Sequence, residues 1–232
     1  MKKLLILLFS LLISFNSLGE TGCSEKNSKW ADLIESTVYF QIRDNSYYLP
    51  NQSKPYSGEN LCVYERSSGQ FYLKGVIKKG KKHGIEKIWN ENGELMSEYK
   101  YKNGVLLRKT IFGNDSIKIA EINLNKLGQK HGKEIYWHDN GQKSSEVYFK
   151  NGELNGVATS WDENGQKTIV STLKNDNLHG RYTEFYENGQ KQAEGNFKND
   201  KFDGKWIEWY EDGQIKSKAT YKDGECMRGD CD

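Results

Sequence analysis

The stretch Trp161-Asp-Glu-Asn-Gly-Gln-Lys167 decides the fold, because close copies of it recur along the chain. Each copy has an aromatic residue, an acidic residue two positions later, an Asn-Gly or Asp-Gly step, and then Gln or Glu. The other four copies begin at Trp89, Trp137, Phe185 and Trp209. A motif written five times predicts a repeat architecture before it predicts any chemistry.

The repeat period is 24 residues. One set of glycines opens the copies, and a second set follows nine residues later: Gly84, Gly132, Gly156, Gly180, Gly204 and then Gly93, Gly141, Gly165, Gly189, Gly213. The double gap from Gly84 to Gly132 predicts a decayed copy at 108–131. Residues 64–70 fall in the same register, so about seven copies are expected to fill 58–226.

Each copy reads as a β-hairpin. Asn164-Gly165 between two strand-like runs predicts a type I′ turn, in which both central residues have positive φ. A second Asn, Asp or Gly pair, such as Asn175-Asp176, joins one copy to the next. Two strands and two turns leave no room for a helix. We therefore predict an all-β fold, an elongated single-layer antiparallel sheet of stacked hairpins of about 24 residues.

Two aromatic columns are the expected core, because an isolated hairpin is marginal in water and has to merge its apolar residues with those of its neighbours. The first column lies before the signature turn and the second lies on the returning strand. We predict as structural core Trp89, Trp137, Trp161, Phe185 and Trp209 from the first column, and Phe149, Phe197 and Tyr221 from the second.

The first residues predict export. Lys2 and Lys3 precede the apolar run 4–15, and Ser17-Leu18-Gly19 resembles a cleavage site, so 1–19 is assigned as a signal peptide. The expected location is the periplasm, the cell surface or the medium. Lipidation of Cys23 is the alternative, although Glu20 stands where an aliphatic residue is expected. The 12-residue run is too short to be a transmembrane helix.

The segment 20–57 predicts a small N-terminal cap, with a hairpin across Asp44-Asn45, and 227–232 is a C-terminal tail. The four cysteines, Cys23, Cys62, Cys226 and Cys231, lie at the two ends of the exported chain. Export favours disulfides, and the simplest pairing is Cys23–Cys62 and Cys226–Cys231, although three connectivities are possible. A zinc site is the rival interpretation, without a Cys-x-x-Cys spacing to support it.

The repeat unit, Trp or Phe followed by an Asn-Gly or Asp-Gly turn and then Tyr or Phe-Lys-Asn-Gly, resembles the MORN repeat variant of bacterial proteins. Many of these are YwqK-type toxin–antitoxin system antitoxins. Lys54-Pro-Tyr-Ser-Gly58 also resembles the segment that precedes the first copy in that family. The resemblance implies a meandering sheet without catalytic apparatus. It also makes an antitoxin or immunity role one possible function.

The face opposite the Trp column carries the candidate binding residues, Tyr136, Tyr182, Tyr186, Trp206 and Tyr210. Exposed Tyr and Trp make good anchors for a partner, and a second packing face is the alternative. His83, His131 and His179 share one column, but Asn155 and Asp203 replace them in other copies, which indicates turn chemistry rather than metal binding.

These features predict an exported, non-enzymatic module that binds another protein or acts as a scaffold in the cell envelope. The alternatives are an antitoxin or immunity protein and a protein that binds or cleaves a cell-wall polymer; lipid is a further possible partner. Of 34 basic residues, 32 remain after loss of Lys2 and Lys3, against 32 acidic ones. That balance argues against nucleic acid as a partner. No motif predicts a cofactor or a catalytic centre.

Overall fold

The computed structural model describes residues 41–49, 51–66 and 69–231. The signal-peptide segment and Cys23 lie outside these ranges. The described chain is built almost entirely of strands, whose bounds are β1 Gln41–Arg43, β2 Ser46–Tyr48, β3 Gly58–Arg66, β4 Gly69–Lys78, β5 Lys81–Asn90, β6 Leu95–Lys102, β7 Val105–Phe112, β8 Lys118–Leu124, β9 Lys130–Trp137, β10 Lys143–Lys150, β11 Glu153–Leu154, β12 Gly156–Trp161, β13 Lys167–Lys174, β14 Asn177–Phe185, β15 Lys191–Lys198, β16 Lys201–Trp209, β17 Ile215–Lys222 and β18 Glu225–Gly229.

Strands β3 to β18 form one 16-stranded sheet, and β1 and β2 form a separate hairpin. Every pairing in the large sheet is antiparallel and joins strands that follow each other in the chain, with the two-residue strand β11 as a side branch on β10. The predicted all-β architecture of stacked hairpins is therefore confirmed. Within the described ranges, no helix has the length and hydropathy needed to cross a bilayer.

The two kinds of turn differ from the sequence prediction. At the signature turn only the glycine has positive φ, 80° at Gly165, and Asn164 does not. The side chain of Asp162 accepts the main-chain N–H groups of Asn164 and Gln166, both at 2.9 Å. Pairing shifts by one residue beside the turn, between Ser160 and Trp161. The signature turn is therefore bulged, because one extra residue in the returning strand relieves the need for a second positive φ.

Type I′ geometry belongs instead to the turns between copies. Asn175 and Asp176 both have positive φ, 50° and 66°, as do Asn103 and Gly104, 52° and 83°. Asn and Asp tolerate this region because their short polar side chains bond locally. Type I′ turns therefore occur as predicted, but they lie between the copies and not at the Asn164-Gly165 step.

The decayed copy keeps its hairpin. Strands β7 and β8 pair from Arg108↔Asn123 to Phe112↔Lys118, although the Asn-Gly signature is missing. A short 3-10 turn at Asn114–Ser116 replaces it, with Asp115 and Ser116 at positive φ. Sequence decay has therefore changed the turn without breaking the sheet.

The hydrophobic core lies on one face of the sheet, which we call the core face. Its buried cluster consists of Val147, Leu154, Leu173, Leu178, Tyr182 and Phe197, with Phe149, Ala158, Ile169, Phe202 and Trp206 packed against it. The rings interlock: the centroids of Phe197 and Phe202 are 4.7 Å apart, and those of Phe202 and Trp206 are 4.5 Å apart. Phe202 also stacks on Tyr221, with ring centroids 5.0 Å apart.

The structure corrects the assignment of the Trp column to the core. Ala158 and Ile169 pack on the core face, and Ser160 pairs with Ile169. Trp161, the next residue, points to the opposite side by strand alternation. Its counterparts share this half-buried position, namely Trp89, Trp137, Phe185 and Trp209. Because of the bulge, Trp161 lies opposite Lys167 of the returning strand on this second face.

The N-terminal hairpin β1–β2 crosses Asp44 and Asn45, both at positive φ, as predicted. Its main chain reaches the turn between β4 and β5: the N–H of Tyr47 donates to the carbonyl of Gly80, 3.0 Å. The N–H of Gly80 in turn donates to the carbonyl of Tyr56, 2.7 Å. The hairpin therefore docks at an end of the first strands. Coverage of the first sheet edge by the rest of 20–57 stays a prediction.

At the other end of the sheet, Cys226 and Cys231 form a disulfide that closes a loop around the last strand. This is one of the two predicted bonds. The partner bond, Cys23–Cys62, involves side chains outside the described part of the chain. The Cys226–Cys231 bond fits an oxidising compartment.

Tyr182→Ala is expected to lower the free energy of unfolding by about 3–5 kcal/mol, as for removal of a large buried aromatic side chain. Trp161→Ala should lower it by about half as much, because that ring is half-buried on the opposite face. Urea unfolding followed by far-UV circular dichroism measures both. Equal losses, or a larger loss for Trp161→Ala, would contradict the assignment of the core face.

Candidate interaction surface

Two residues of the predicted aromatic platform belong to the core. Tyr182 is 2% exposed, and its ring stacks on that of Trp206, with centroids 5.9 Å apart. Trp206 lies over Gly195, where an added Cβ would come within 2.3 Å of the indole. Burial and the nearby Glu184 carboxylate raise the pKa of Tyr182. The face carrying Tyr182 and Trp206 is thus a packing face, which was the alternative interpretation.

The other three tyrosines of the platform have separate roles. Tyr136 lies on the core face, and its hydroxyl donates to Oε1 of Glu134. The hydroxyl of Tyr186 donates to the main-chain carbonyl of Trp209 in the next copy, 2.7 Å. Tyr210, at the equivalent position one period later, is 53% exposed. The structure therefore does not bring the five residues together as one site.

The N-terminal half of the core face contains two ion pairs in place of apolar pairs. Lys130 and Glu134 occupy the positions that Leu178 and Tyr182 fill 48 residues later. Glu134 is 1% exposed, and its Oε1 lies 2.9 Å from Nζ of Lys130, whereas its Oε2 has no hydrogen-bond partner. Lys82 and Glu86 repeat the pair, at 3.1 Å. The glutamates are buried and the lysines are partly exposed, so each lysine compensates a carboxylate that is packed within the core face.

We call the opposite side of the sheet the charged face, because carboxylates recur on it, and three of those in the described ranges lie between two cations. Glu146 lies 2.8 Å from Nζ of Lys133 and 2.7 Å from Nζ of Lys143. The other two triads are Arg108–Glu121–Lys118 and Arg181–Glu194–Lys191. Since Val147 and Ala193 are buried on the core face, their neighbours Glu146 and Glu194 point to the other side.

The second cation of each triad also covers the aromatic ring of the next copy. Nζ of Lys118 lies 4.9 Å from the ring centroid of Trp137, and Nζ of Lys143 lies 5.7 Å from that of Trp161. Lys191 lies over Trp209 at 5.8 Å. These distances suit cation–π attraction. Each carboxylate thus helps to hold a lysine that covers the next Trp, and the triads connect neighbouring hairpins.

Opposing effects set the pKa values of these carboxyl groups. Partial burial raises the pKa of Glu194, but the hydrogen bonds and charges of Lys191 and Arg181 outweigh it, and the net pKa lies below the usual value. Glu146 follows the same pattern with Lys133 and Lys143. The carboxyl groups of Glu146 and Glu194 are therefore ionised at neutral pH.

The copy that contains Val157 lacks a triad and keeps only its lysine, Lys167. Val157 and Val170 stand where the neighbouring copies have Lys133 and Glu146, or Arg181 and Glu194. Val157 is 47% exposed. The charged face is thus interrupted between two triads by an uncharged stretch that a partner could contact without separating an ion pair.

The histidine column connects copies. Nδ1 of His131 accepts the main-chain N–H of Asn151, 3.3 Å, and Nδ1 of His83 lies 3.5 Å from the N–H of Asn103. His179 contacts the side chain of Asn199. Each histidine therefore supports the turn 20 residues later. Within the described ranges, no three His, Cys, Asp or Glu side chains come together as a metal site.

The aromatic columns of the sequence do not predict the triads. A signal exists: Lys143 and Lys191 each precede a glutamate by three residues, at the same position of the 24-residue period. Spacing of three is not a pairing distance in a regular strand, where alternate residues share a face. The pair forms because the bulge after the signature turn places the lysine on the same face as the glutamate. The sequence does not reveal this bulge.

The fold and its contacts define a class of protein, a linear array of β-hairpins in which each hairpin packs on the next. The model of one family, the MORN repeat variant, matches 82–103, 130–151, 178–199 and 202–223. The chain therefore carries MORN repeats, as the sequence resemblance indicated. The copy with Val157 and Val170 lies between matched segments. No curated protein matches the chain.

Glu194→Gln is expected to reduce the acid sensitivity of the protein. A carboxyl group whose folded-state pKa is depressed contributes stability above its unfolded-state value, near 4.5, and loses it as the pH falls through the folded-state pKa. The contribution at pH 7 should stay below about 1 kcal/mol, because the triad is partly exposed.

Thermal unfolding at pH 7 and at about pH 3 measures this effect. The difference in melting temperature between wild type and Glu194→Gln should be present at pH 7 and largely gone at acid pH. Glu187→Gln, in the exposed turn of the same hairpin, is the matched control and should show no difference at either pH. A difference that grows on acidification would contradict the depressed pKa.

Proposed function

We propose that the protein is an exported, non-enzymatic module that binds another protein in the cell envelope through the charged face of its sheet. The proposal rests on one observation, which is that the two faces of the sheet carry different kinds of side chain. The core face is filled by its own side chains, whereas the charged face presents three ion triads, each with a lysine that covers an aromatic ring of the next copy. Repeat proteins use such extended surfaces for binding.

The uncharged stretch around Val157 is the proposed centre of contact. Nearly half of this side chain is exposed, and Tyr148, 37% exposed, packs beside it against Gly156. An added Cβ at Gly156 would lie 3.0 Å from Cβ of Tyr148. An apolar centre between charged groups is the usual anatomy of a protein interface.

Export is supported by the sequence of residues 1–19 and by the disulfide Cys226–Cys231, since disulfides persist in oxidising compartments. An envelope partner follows from this location. The family resemblance also supports an immunity role, in which the partner would be a toxin that reaches the same compartment.

Affinity capture from the envelope fraction of the native organism, with the exported chain as bait, tests the proposal. Val157→Arg should abolish capture of a protein that wild type enriches in comparable molar amount. Leu127→Arg is the matched control, because Leu127 is 83% exposed in a turn away from the centre of contact. It should capture the partner as well as wild type does.

Two results would contradict the proposal. Capture unaffected by Val157→Arg would place the contact elsewhere, and enrichment of wall fragments or lipid alone would remove protein as the partner. Expression of the captured protein by itself then separates two forms of the proposal. Toxicity relieved by co-expression would establish an immunity function.

A further inference from the structure

The last copy departs from the charge pattern of the charged face. Lys218 stands at the position of Glu146 and Glu194, and Ile215 stands at the position of Lys143 and Lys191. Lys205 keeps the position of Lys133 and Arg181. A carboxylate between two cations is thus replaced by two cations with an aliphatic residue beside them.

A third cation comes from the final strand. Lys205 of β16 is opposite Thr220 of β17, and Thr220 is opposite Arg228 of β18. Three adjacent strands span about 10 Å, so Lys205 and Arg228 flank Thr220 on the same face. Lys218 lies two residues along β17 and therefore shares that face. We call Lys205, Lys218 and Arg228 the terminal basic patch.

Among the described residues, no carboxylate lies within ion-pair distance of the three cations of the patch. All three of its side chains are exposed, and no ion pair involves any of them in the described part of the chain. Of the neighbouring acidic groups, Asp203 pairs with Lys222 at 2.9 Å. Asp230 lies at the border of the patch, where its Oδ2 accepts the main-chain N–H of Lys218 at 3.1 Å and offsets part of the positive charge. In the preceding copy, by contrast, Glu194 takes both Arg181 and Lys191.

An apolar surface adjoins the patch. Ile215 is directly opposite Trp209 in the pairing of β16 with β17, and it is 59% exposed. Ile207, which pairs with Lys218, lies half-buried on the same face as Lys205. The Cys226–Cys231 disulfide closes the loop that contains Arg228. The site is thus an aliphatic and aromatic strip with three exposed cations along one side.

We infer that this end of the charged face, formed by the terminal basic patch with Trp209 and Ile215, docks an acidic segment of a partner protein that carries an apolar side chain. Charge complementarity identifies the occupant, because three unpaired cations favour carboxylates and disfavour a basic or neutral segment. The exposed Ile215 beside Trp209 provides the apolar contact. The inference rests on the proposed function and names the chemistry of the partner.

Lys218→Glu is the decisive variant. It restores the carboxylate found in the other copies, next to Lys205 as its cation, so the fold should be retained and its melting temperature equal to or above that of wild type. Lys174→Glu, at an exposed lysine at the end of β13, changes the net charge equally and is the matched control. Arg228→Gln provides a second variant in case Lys218→Glu does not fold.

The probes are three fluorescein-labelled peptides of ten residues that alternate valine with glutamate, glutamine or lysine, and their binding is followed by fluorescence anisotropy. The glutamate peptide should bind wild type at least about tenfold more tightly than the glutamine peptide does, with weaker binding at higher salt. Lys218→Glu should weaken binding by about tenfold or more, and Arg228→Gln should also weaken it. Ile215→Ser should weaken it without changing the salt dependence, and Lys174→Glu should stay within about twofold of wild type.

Equal binding of the glutamate and glutamine peptides, or unchanged binding by Lys218→Glu, would overturn the inference. Binding to phosphatidylglycerol vesicles but to none of the peptides, lost in Lys218→Glu, would also overturn it and assign the patch to a membrane surface. The capture experiment keeps the two proposals apart. A partner lost with Val157→Arg but retained with Lys218→Glu leaves the proposed function in place and removes the terminal docking surface.

Discussion

The whole structure depends on burial within one face of a single sheet. In the described ranges no second layer covers the core face, so an apolar side chain can leave water only by packing on the corresponding residues of the hairpins before and after it. Tyr182, Phe197, Phe202 and Trp206 show how this is done, since four large rings from three consecutive strands contact each other edge to face and face to face. One hairpin alone would leave these rings exposed, which explains why the repeats are stable only as an array.

The sequence was sufficient to predict the period, the strands and the positions of the turns. These features follow from residues with strong local preferences, such as Gly165 and the pair Asn175-Asp176, whose backbone angles other residues rarely adopt. The face on which each column lies was not predictable in the same way. Both sides of a strand carry aromatic residues here, and the choice between Trp161 and Tyr182 as core depends on the pairing partners and the bulge, which are properties of two strands together. The prediction of the aromatic platform was wrong for the same reason, and the ion triads were not predictable because their three-residue spacing brings the side chains together only where the bulge has formed.

The two faces of the sheet hold neighbouring hairpins together by different contacts. On the core face, shape complementarity between rings and aliphatic side chains holds successive hairpins together, apart from the pairs Lys82–Glu86 and Lys130–Glu134. On the charged face, the connection runs from a carboxylate to a lysine and from that lysine to the next aromatic ring. The members of the second connection differ between copies: the Val157 copy keeps only Lys167, and the last copy has cations without a carboxylate. Both faces therefore vary between copies: the core face exchanges apolar packing for ion pairs, and the charged face loses its triads.

The order of the strands also bears on how the chain reaches its folded state. Each strand of the large sheet pairs with strands that are next to it or nearly next to it in the chain, so every contact that forms closes a short loop. A chain that emerges from a narrow channel with its N-terminal end first can form one hairpin before the residues of the next have emerged. The next hairpin then pairs with the exposed edge strand of the one before it. The growing sheet then has a single advancing edge. Cys226 and Cys231 come last in this sequence of events, and their bond closes the final strand after the rest of the sheet has formed.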